Sequence, residues 1–281
     1  MKKIKALAAA AVALSLGVML LAGCSSSGSS SSSQASSAES TEMTKLIVGF
    51  DNAYPPYGFI GEDGKETGFD LDLAAEVAER NGWDLELQAI DWDAKDALLN
   101  QGSINCIWNG FTMEGREDDY TFSEPYMLNE QVIVVKKGSG IDSLEGLAGK
   151  NVITQVDSAA LDVLEDPEGR ADLAATFATG APQTISDYNN AFMQLESGMV
   201  DAVACDLSIA AYQMAAKPDA YVQLSEPLSS ERYAIGFKKG DTATAEKVTA
   251  TLKEMYADGT VEKLCEKYAE YGLSFDNWVL K

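Results

Sequence analysis

Residues 45–90 read KLIVGFDNAYPPYGFIGEDGKETGFDLDLAAEVAERNGWDLELQAI, and this stretch indicates the class of fold. It opens with a short apolar run typical of a buried strand, and residues 84–90 alternate as a second strand would. Between them, apolar residues at helical spacing predict a helix that Asp70 would N-cap and Gly82 would end. A strand, a helix and a strand in this order are typical of an α/β fold with a mostly parallel sheet.

A partial repeat predicts a second unit of the same kind. Residues 99–107 read LNQGSINCI and residues 195–203 read LESGMVDAV, so each combines a helix end, a glycine and an apolar strand. This pattern also occurs at ordinary junctions between a helix and a strand, so it supports two similar lobes only together with its surroundings. Asn109, Gly110 and Asp206 follow the two predicted strands. Ligands of open α/β sheets bind beyond the carboxyl ends of such strands, so we expect these residues to border a crevice.

The later part of the chain predicts that one lobe is discontinuous. Apolar runs at 131–135 and 234–237 are each followed by Lys-Lys-Gly and resemble partners across the molecule. We therefore expect residues 45–128 and 230–281 to form one lobe and residues 129–229 the other. Two crossings of the chain between the lobes would make a hinge.

Charge and composition exclude several functions. The 281 residues contain 44 Asp and Glu against 21 Lys and Arg, a net charge of −23, which argues against binding nucleic acid. Histidine is absent, which excludes catalysis or metal binding by imidazole. The four cysteines form no CxxC pair, so they indicate neither a zinc site nor a disulfide scaffold. We expect no metal and no cofactor.

The first residues resemble an export signal. Three lysines precede an apolar run at 6–21, and the sequence Leu-Ala-Gly before Cys24 resembles the lipobox of bacterial lipoproteins. This predicts a lipoprotein signal peptide at residues 1–23, lipidation of Cys24, and a serine-rich tether at residues 24–44. The protein would then be anchored to the extracytoplasmic face of the cell membrane. The alternatives are an uncleaved membrane anchor or a plain secretory signal.

Several motifs, taken in order, resemble a known family. They are VGFDNAYPPY at 48–57, GFDLDL at 68–73, DWD at 91–93, NGFT at 109–112, Arg116, FSEPY at 122–126, GMVDA at 198–202 and DGT at 258–260. Together they resemble bacterial extracellular solute-binding proteins of the polar amino-acid class, family 3, and the likeness spans residues 45–275. The resemblance implies a two-lobed fold of the periplasmic-binding-protein type (type II) that closes on an amino acid. It implies no catalysis.

The resemblance also implies which residues bind the two charged ends of the amino acid. Thr112 and Arg116 match the residues that hold the α-carboxylate, and a bidentate guanidinium suits that group. Asp206 matches the aspartate that receives the α-ammonium, although it could also cap the helix that follows. The segment after Thr112 is one residue shorter than in the family. Arg116 could therefore instead be a surface arginine beside the acidic residues 117–119.

Other residues would surround the ligand side chain. Tyr54 and Trp92 match the aromatic residues that enclose it, and Asp51 matches a residue of its pocket. Asn109, Gly110 and Ser158 are further candidates. Asp157 departs from the family pattern: it either caps the helix that follows or contacts a polar or cationic ligand group. The identity of the amino acid does not follow from the sequence.

The implied partners are a free amino acid and a membrane permease with its ATPase, and we expect a monomer. Cys106, Cys205 and Cys265 are expected to remain reduced thiols. Two alternatives use the same scaffold. One is a dehydratase of cyclohexadienyl acids with Asp157 as its general acid, and the other is a module that reports a ligand to a receptor.

Overall fold

The structure, a computed structural model, describes residues 43–281. The predicted signal peptide, lipidated Cys24 and most of the tether therefore lie outside the described residues. The strands are β1 Lys45–Phe50, β2 Ala53–Tyr54, β3 Gly58–Ile60, β4 Glu66–Thr67, β5 Asp84–Ala89, β6 Cys106–Ile107, β7 Tyr120–Phe122, β8 Met127–Lys136, β9 Val152–Gln155, β10 Gln183–Ile185, β11 Ala202–Asp206, β12 Tyr221–Gln223, β13 Ser229–Tyr233 and β14 Gly236–Lys238. The helices are α1 Phe69–Asn81, α2 Lys95–Gln101, α3 Ala159–Glu165, α4 Ala171–Ala174, α5 Tyr188–Ser197, α6 Leu207–Ala216, α7 Thr242–Ala257 and α8 Thr260–Lys267.

Two mixed sheets form the framework of the fold. The first sheet has the strand order β5-β1-β6-β14-β7, and the second has the order β10-β9-β11-β8-β12 with β13 also paired to β8. The strands joined by crossover helices run parallel, as in the pairs β1 with β5 and β9 with β11. Strands β8 and β14 pair antiparallel with their neighbours, so the sheets are less parallel than predicted. These two strands belong to the segments that connect the sheets, where no crossover helix imposes a parallel direction.

The two copies of the repeat occupy equivalent places in the two sheets. Helix α2 ends at Gly102 and leads to β6 in the first sheet, whereas α5 ends at Gly198 and leads to β11 in the second. Both glycines adopt the left-handed conformation, with φ of 81° and 79°. That conformation costs glycine little and closes the end of a helix, which explains why both copies have glycine here.

Helix α1 differs from the prediction at its start. It ends at Gly82 in the left-handed conformation, as expected, but it begins at Phe69 with Gly68 in the N-cap position. The prediction that Asp70 is the cap is therefore wrong. Asp70 lies in the first turn, and its fully buried carboxylate accepts hydrogen bonds from the Gly110 backbone and the Tyr126 hydroxyl. These donors come from other segments and hold the carboxylate away from the helix end.

The chain passes twice between the sheets. It leaves the first sheet after β7 and enters the second at β8, and it returns between β13 and β14. Strands β8 and β13 pair antiparallel, with Met127 opposite Tyr233. The division into lobes at residues 45–128 and 230–281 against 129–229 stays a prediction.

Helices α1, α7 and α8 contact one another beside the first sheet, whose strand β1 buries Leu46, Val48 and Phe50 completely. Cys106, Cys205 and Cys265 are buried, and no disulfide joins them within residues 43–281. In the described part of the chain, no helix is both long and apolar enough to span a membrane. The same residues hold no group of three or more metal-ligating side chains.

Candidate ligand-binding site

A cavity between the two sheets brings together most of the predicted site residues. Its volume is about 20 Å³, and it is bounded by both sheets. It is lined by Tyr54, Trp92, Gly110, Thr112, Arg116, Gln155, Ser158, Ala159 and Asp206. Seven of these were predicted from the sequence, whereas Gln155 and Ala159 were not. The predicted residues Asp51, Asn109 and Asp157 lie beside the cavity rather than on its wall.

Arg116 provides the guanidinium of the cavity. Its side chain is only 12% exposed, and it lies 5.0 Å from the centre of the Phe111 ring. One of its nitrogens donates to the Asp162 carboxylate at 2.7 Å and to the Asp157 carbonyl at 3.4 Å. Arg116 is therefore not the surface arginine of the alternative interpretation. Its ion-pair partner belongs to the second sheet's side of the cleft and is not one of the acidic residues 117–119.

Asp206 provides a buried carboxylate on the opposite side. It is the last residue of β11 and occupies the N-cap position of α6, but its side chain makes no bond to that helix. One carboxylate oxygen accepts hydrogen bonds from Asn129 at 2.9 Å, Gln131 at 2.6 Å and the Tyr233 hydroxyl at 2.9 Å. Burial raises the pKa of Asp206 above its usual value, while these donors oppose the rise.

A second buried carboxylate, Glu231, was not found from the sequence. It lies on β13, is 6% exposed, and accepts the Thr112 hydroxyl at 2.6 Å. Asn129 and Gln131 each donate to it at 2.7 Å. Burial, together with the charge of Asp206, raises the pKa of Glu231 to about 6. Its strand reads SSERY, so no alternation of polar and apolar residues in the sequence pointed to a buried glutamate.

Trp92, Lys95 and Asp157 connect the two sides of the cleft. The Trp92 indole donates to the Asp157 carbonyl at 3.1 Å, and the buried Lys95 ammonium forms an ion pair with the Asp157 carboxylate. Asp157 has φ of 59°, so its backbone is left-handed, and its carboxylate pairs with Lys95 instead of capping α3. Ser158 is the residue that caps this helix, accepting from Leu161 at 3.2 Å. Of the two roles considered for Asp157, capping the helix is therefore wrong, and contact with a ligand stays a prediction.

Asp51 and Gln155 form a second connection across the cleft. Asp51 follows β1, and its carboxylate accepts from the Gln155 amide at 2.7 Å and from the Ala53 backbone at 2.8 Å. Burial raises the pKa of Asp51. Nearby, Asn109 is 1% exposed, and neither end of its amide has a hydrogen-bond partner within residues 43–281. Buried amides are normally paired, so Asn109 retains unused donor and acceptor capacity close to the cavity.

Gly110 is held in a left-handed turn at the cavity wall. Its φ is 58°, and its N–H donates to Asp70 at 2.6 Å. A Cβ atom at this position would lie 3.0 Å from the rings of both Tyr54 and Tyr233. The hydroxyl groups of these two tyrosines are 3.1 Å apart. Glycine is therefore required both by the backbone conformation and by the close approach of two aromatic rings.

The fold has two sheets flanked by helices, and the chain crosses between them twice. A cavity between these sheets is lined by a guanidinium and a carboxylate. This arrangement is that of a two-lobed binding protein for a small ligand. Residues 46–271 match the bacterial extracellular solute-binding proteins, family 3, and the chain belongs to this family. The family and the fold predicted from the motifs are thereby confirmed.

Several similar proteins are named for the amino acid that they bind. The L-cystine-binding protein TcyJ of Escherichia coli (strain K12) is 29% identical over 231 residues, which cover 81% of this chain and 83% of that protein. The ABC transporter glutamine-binding protein GlnH of Bacillus subtilis (strain 168) is 29% identical over 279 residues, or 95% of this chain and 97% of that one. An ABC uptake transporter substrate binding protein from Streptococcus pneumoniae, solved with bound histidine, is 33% identical with a TM-score of 0.76. That match covers 80% of this chain and 92% of the other.

The predicted dehydratase alternative is not favoured. These relatives are binding proteins of transport systems, and the carboxylate of Asp157, its proposed general acid, is paired with Lys95 beside the cavity.

Proposed function

We propose that this protein captures a polar amino acid outside the cytoplasm and delivers it to an ABC permease with its ATPase. One observation carries the proposal: the Arg116 guanidinium and the Asp206 carboxylate line the same cavity from opposite sides. A free amino acid presents a carboxylate and an ammonium group close together. Each end would therefore find its opposite charge in a cavity that excludes bulk water.

The carboxylate end would bind Arg116. A guanidinium has five N–H donors in a planar fork, so it can donate to both oxygens of a ligand carboxylate. It can do so while keeping part of its contacts to the Thr112 and Asp157 carbonyls. Asp162 now holds one nitrogen of Arg116, but its side chain is 57% exposed. Exposed ion pairs contribute little to stability, so the Arg116–Asp162 pair is weak. A ligand carboxylate in the buried part of the cleft would therefore bind this nitrogen more strongly than Asp162 does.

The ligand side chain would extend toward Trp92, Tyr54 and Asp51. The two aromatic residues offer flat apolar faces, and the buried Asp51 carboxylate offers acceptor oxygens. We therefore infer a side chain with a hydrogen-bond donor, such as an amide, an imidazole, a guanidinium or an ammonium. A cationic side chain would also neutralise Asp51.

Binding would require the two sides to separate and close again. A volume of about 20 Å³ holds about one water molecule, so an amino acid can reach Arg116 and Asp206 only if the cleft widens. The contacts of Asp157 with Trp92 and of Asp51 with Gln155 would open in this movement. Strands β8 and β13, at which the chain enters and leaves the second sheet, are the proposed hinge. The ligand would then shift the population toward the closed form by bridging both sides.

A thermal-shift screen of the purified protein against the twenty common L-amino acids and L-cystine tests this function. An amino acid present at a hundred times its Kd should stabilise the folded state by about 2.7 kcal/mol. For a chain of this size that corresponds to a rise in melting temperature of roughly 5–10 °C. Isothermal titration calorimetry would then give the affinity. If no amino acid raises the melting temperature, the proposed function is wrong.

We further propose that the protein is a monomer tethered to the membrane through lipidated Cys24. The apolar run at 6–21 ends at Leu21 and is followed by Ala-Gly-Cys, and the serine-rich tether would let the binding unit move freely near the permease. Replacing Cys24 by serine is expected to move the protein from the membrane fraction to the soluble fraction, because the thiol that would carry the lipid is gone. Fractionation with immunoblotting measures this.

The same Cys24→Ser protein should keep its affinity for the amino acid, since residues 43–281 hold the whole proposed site. Cys265→Ser, at a buried position in α8, is the matched control and should remain in the membrane fraction. Persistence of the Cys24→Ser protein in the membrane fraction would contradict anchoring through a lipid on Cys24.

A further inference from the structure

Asp206 and Glu231 form a pair of buried carboxylates joined by two side-chain amides. The Asn129 nitrogen lies 2.9 Å from Asp206 and 2.7 Å from Glu231, and the Gln131 nitrogen lies 2.6 Å and 2.7 Å from the same two oxygens. An amide nitrogen carries two hydrogens, so each amide can donate one to each acid. Within the described residues, no lysine or arginine forms an ion pair with either carboxylate.

The register of three neighbouring strands produces this arrangement. Asp206 on β11 lies opposite Gln131 on β8, and Asn129 lies opposite Glu231 on β13. Residues two apart in a strand face the same side, so Asn129 and Gln131 point together between the two acids. The four polar side chains therefore form a row across the strands of the proposed hinge.

Thr112 links this row to the cavity. Its hydroxyl is 2.6 Å from the Glu231 oxygen, and a carboxylate can only accept, so the hydroxyl hydrogen points at Glu231. The oxygen of Thr112 then presents only lone pairs to the cavity that it lines. On the other side, the Tyr233 hydroxyl uses its hydrogen on Asp206. These two hydroxyl groups donate their hydrogens to the two acids, so their oxygens can act only as acceptors.

We propose that Glu231 is a positioning residue that makes the Asp206 end of the cavity specific for an α-ammonium group. It orients the Thr112 hydroxyl as an acceptor and adds a second buried negative charge behind Asp206. An ammonium group donates three hydrogens and carries a positive charge, so it matches this surface. A hydroxyl group in the same place donates one hydrogen and leaves two buried negative charges uncompensated. The inference rests on the proposed amino-acid binding and deepens it.

Protonation of Glu231 should weaken this specificity. The pKa of Glu231 is raised to about 6 by burial and by Asp206, so the group is ionised at about pH 7.5 and mostly protonated at about pH 5. Five groups that face Asp206 stay neutral over this range, because burial raises the pKa of each: Tyr54, Tyr57, Tyr188, Cys205 and Tyr233. Glu114, Glu130 and Arg232 are the charged side chains that line a surface pocket together with Glu231. Burial also raises the pKa of Asp206 and raises that of Asp70, which contacts Gly110 at the cavity wall, to about 7.

The test compares two probes by calorimetry. One is the amino acid with the highest affinity in the panel of twenty common L-amino acids and L-cystine, and the other is its 2-hydroxy analogue with the same side chain. At about pH 7.5, Glu231→Gln should weaken binding of the amino acid about 10-fold or more and binding of the hydroxy acid less than about 3-fold. Glu130→Gln is the matched control, because it removes the same charge from the neighbouring strand without a contact to Asp206. It should leave both affinities unchanged.

The wild-type protein supplies a second measurement that does not depend on folding of the variant. Its preference for the amino acid over the hydroxy acid should fall about 10-fold between about pH 7.5 and about pH 5, as a group with pKa near 6 predicts. Asp70→Asn should show the same fall, which separates Glu231 from the other buried carboxylate that titrates in this range. Equal weakening of both probes by Glu231→Gln would indicate a merely structural role and overturn the inference. So would an unchanged preference in both experiments. If the wild-type protein binds no amino acid in the panel, the proposed function itself is wrong. If it binds one but shows no such change in preference, only the proposed role of Glu231 is wrong.

Discussion

Replacing Arg116 by alanine is expected to weaken amino-acid binding about 100- to 1,000-fold. The ligand carboxylate would stay in a cleft closed to water without its charged partner, and removal of one partner of a buried, hydrogen-bonded charge pair costs about 2–5 kcal/mol. Arg116→Lys should lose less, because it keeps the charge but not the planar fork. Calorimetric titration of the three proteins with the same amino acid measures the effect.

Asp162→Asn is the control for this experiment. Its carboxylate holds the Arg116 guanidinium at 2.7 Å from a largely exposed position, so its removal frees the guanidinium for the ligand. Binding by Asp162→Asn should therefore be unchanged or tighter. If Arg116→Ala binds as tightly as the wild type, Arg116 does not hold the carboxylate, and the proposed orientation of the ligand is wrong.

Asp70→Asn is expected to change how the free energy of unfolding depends on pH. Burial raises the pKa of Asp70 from 3.8 to about 7, so between these values the folded protein binds a proton that the unfolded chain has released. The contribution of Asp70 to stability therefore falls as pH rises from about 4 to about 7, by roughly 4 kcal/mol. Asparagine resembles the protonated acid and does not titrate. The variant should gain about that amount relative to wild type over the same interval.

Denaturant unfolding of both proteins at several pH values between about 4 and 8 measures this difference. Asp51, Asp206 and Glu231 are present in both proteins, so their own pH dependence cancels in the comparison. Asp72→Asn is the matched control, because it removes a carboxylate from the same helix turn that is partly exposed and paired with Lys267. A difference between wild type and Asp70→Asn that stays constant with pH would show that Asp70 does not titrate in this range.

Much of the architecture could be predicted from short stretches of sequence. The strand, helix and strand of residues 45–90 were recognised because apolar spacing reflects which side of each element is buried. The two glycine-ended helices were recognised because left-handed backbone favours glycine. The charges of Arg116 and Asp206 were assigned through the family motifs, and the structure places both on one cavity.

The errors concern aspartates next to helices. Asp70 was expected to cap the helix beside it, and capping was one of the two roles considered for Asp157, since an aspartate near a helix start usually caps it. In the structure, the Asp70 carboxylate accepts hydrogen bonds from Gly110 and Tyr126, and the Asp157 carboxylate forms an ion pair with Lys95. These partners lie tens of residues away along the chain. Rules that consider only near neighbours cannot weigh such donors against the helix end.

Periodicity and motifs in the chain were thus sufficient for the strand, helix and strand of residues 45–90, the two glycine-ended helices, the family and the two charges that a zwitterion would meet. Which acids are buried, and what each of them contacts, was settled by packing between distant segments. Glu231 meets Asp206 only because β8 lies between β11 and β13 in one particular register, and a shift of one residue would turn its side chain to the other face. Local spacing reports which side of an element is apolar, whereas burial and long-range hydrogen bonds depend on how the strands align after folding.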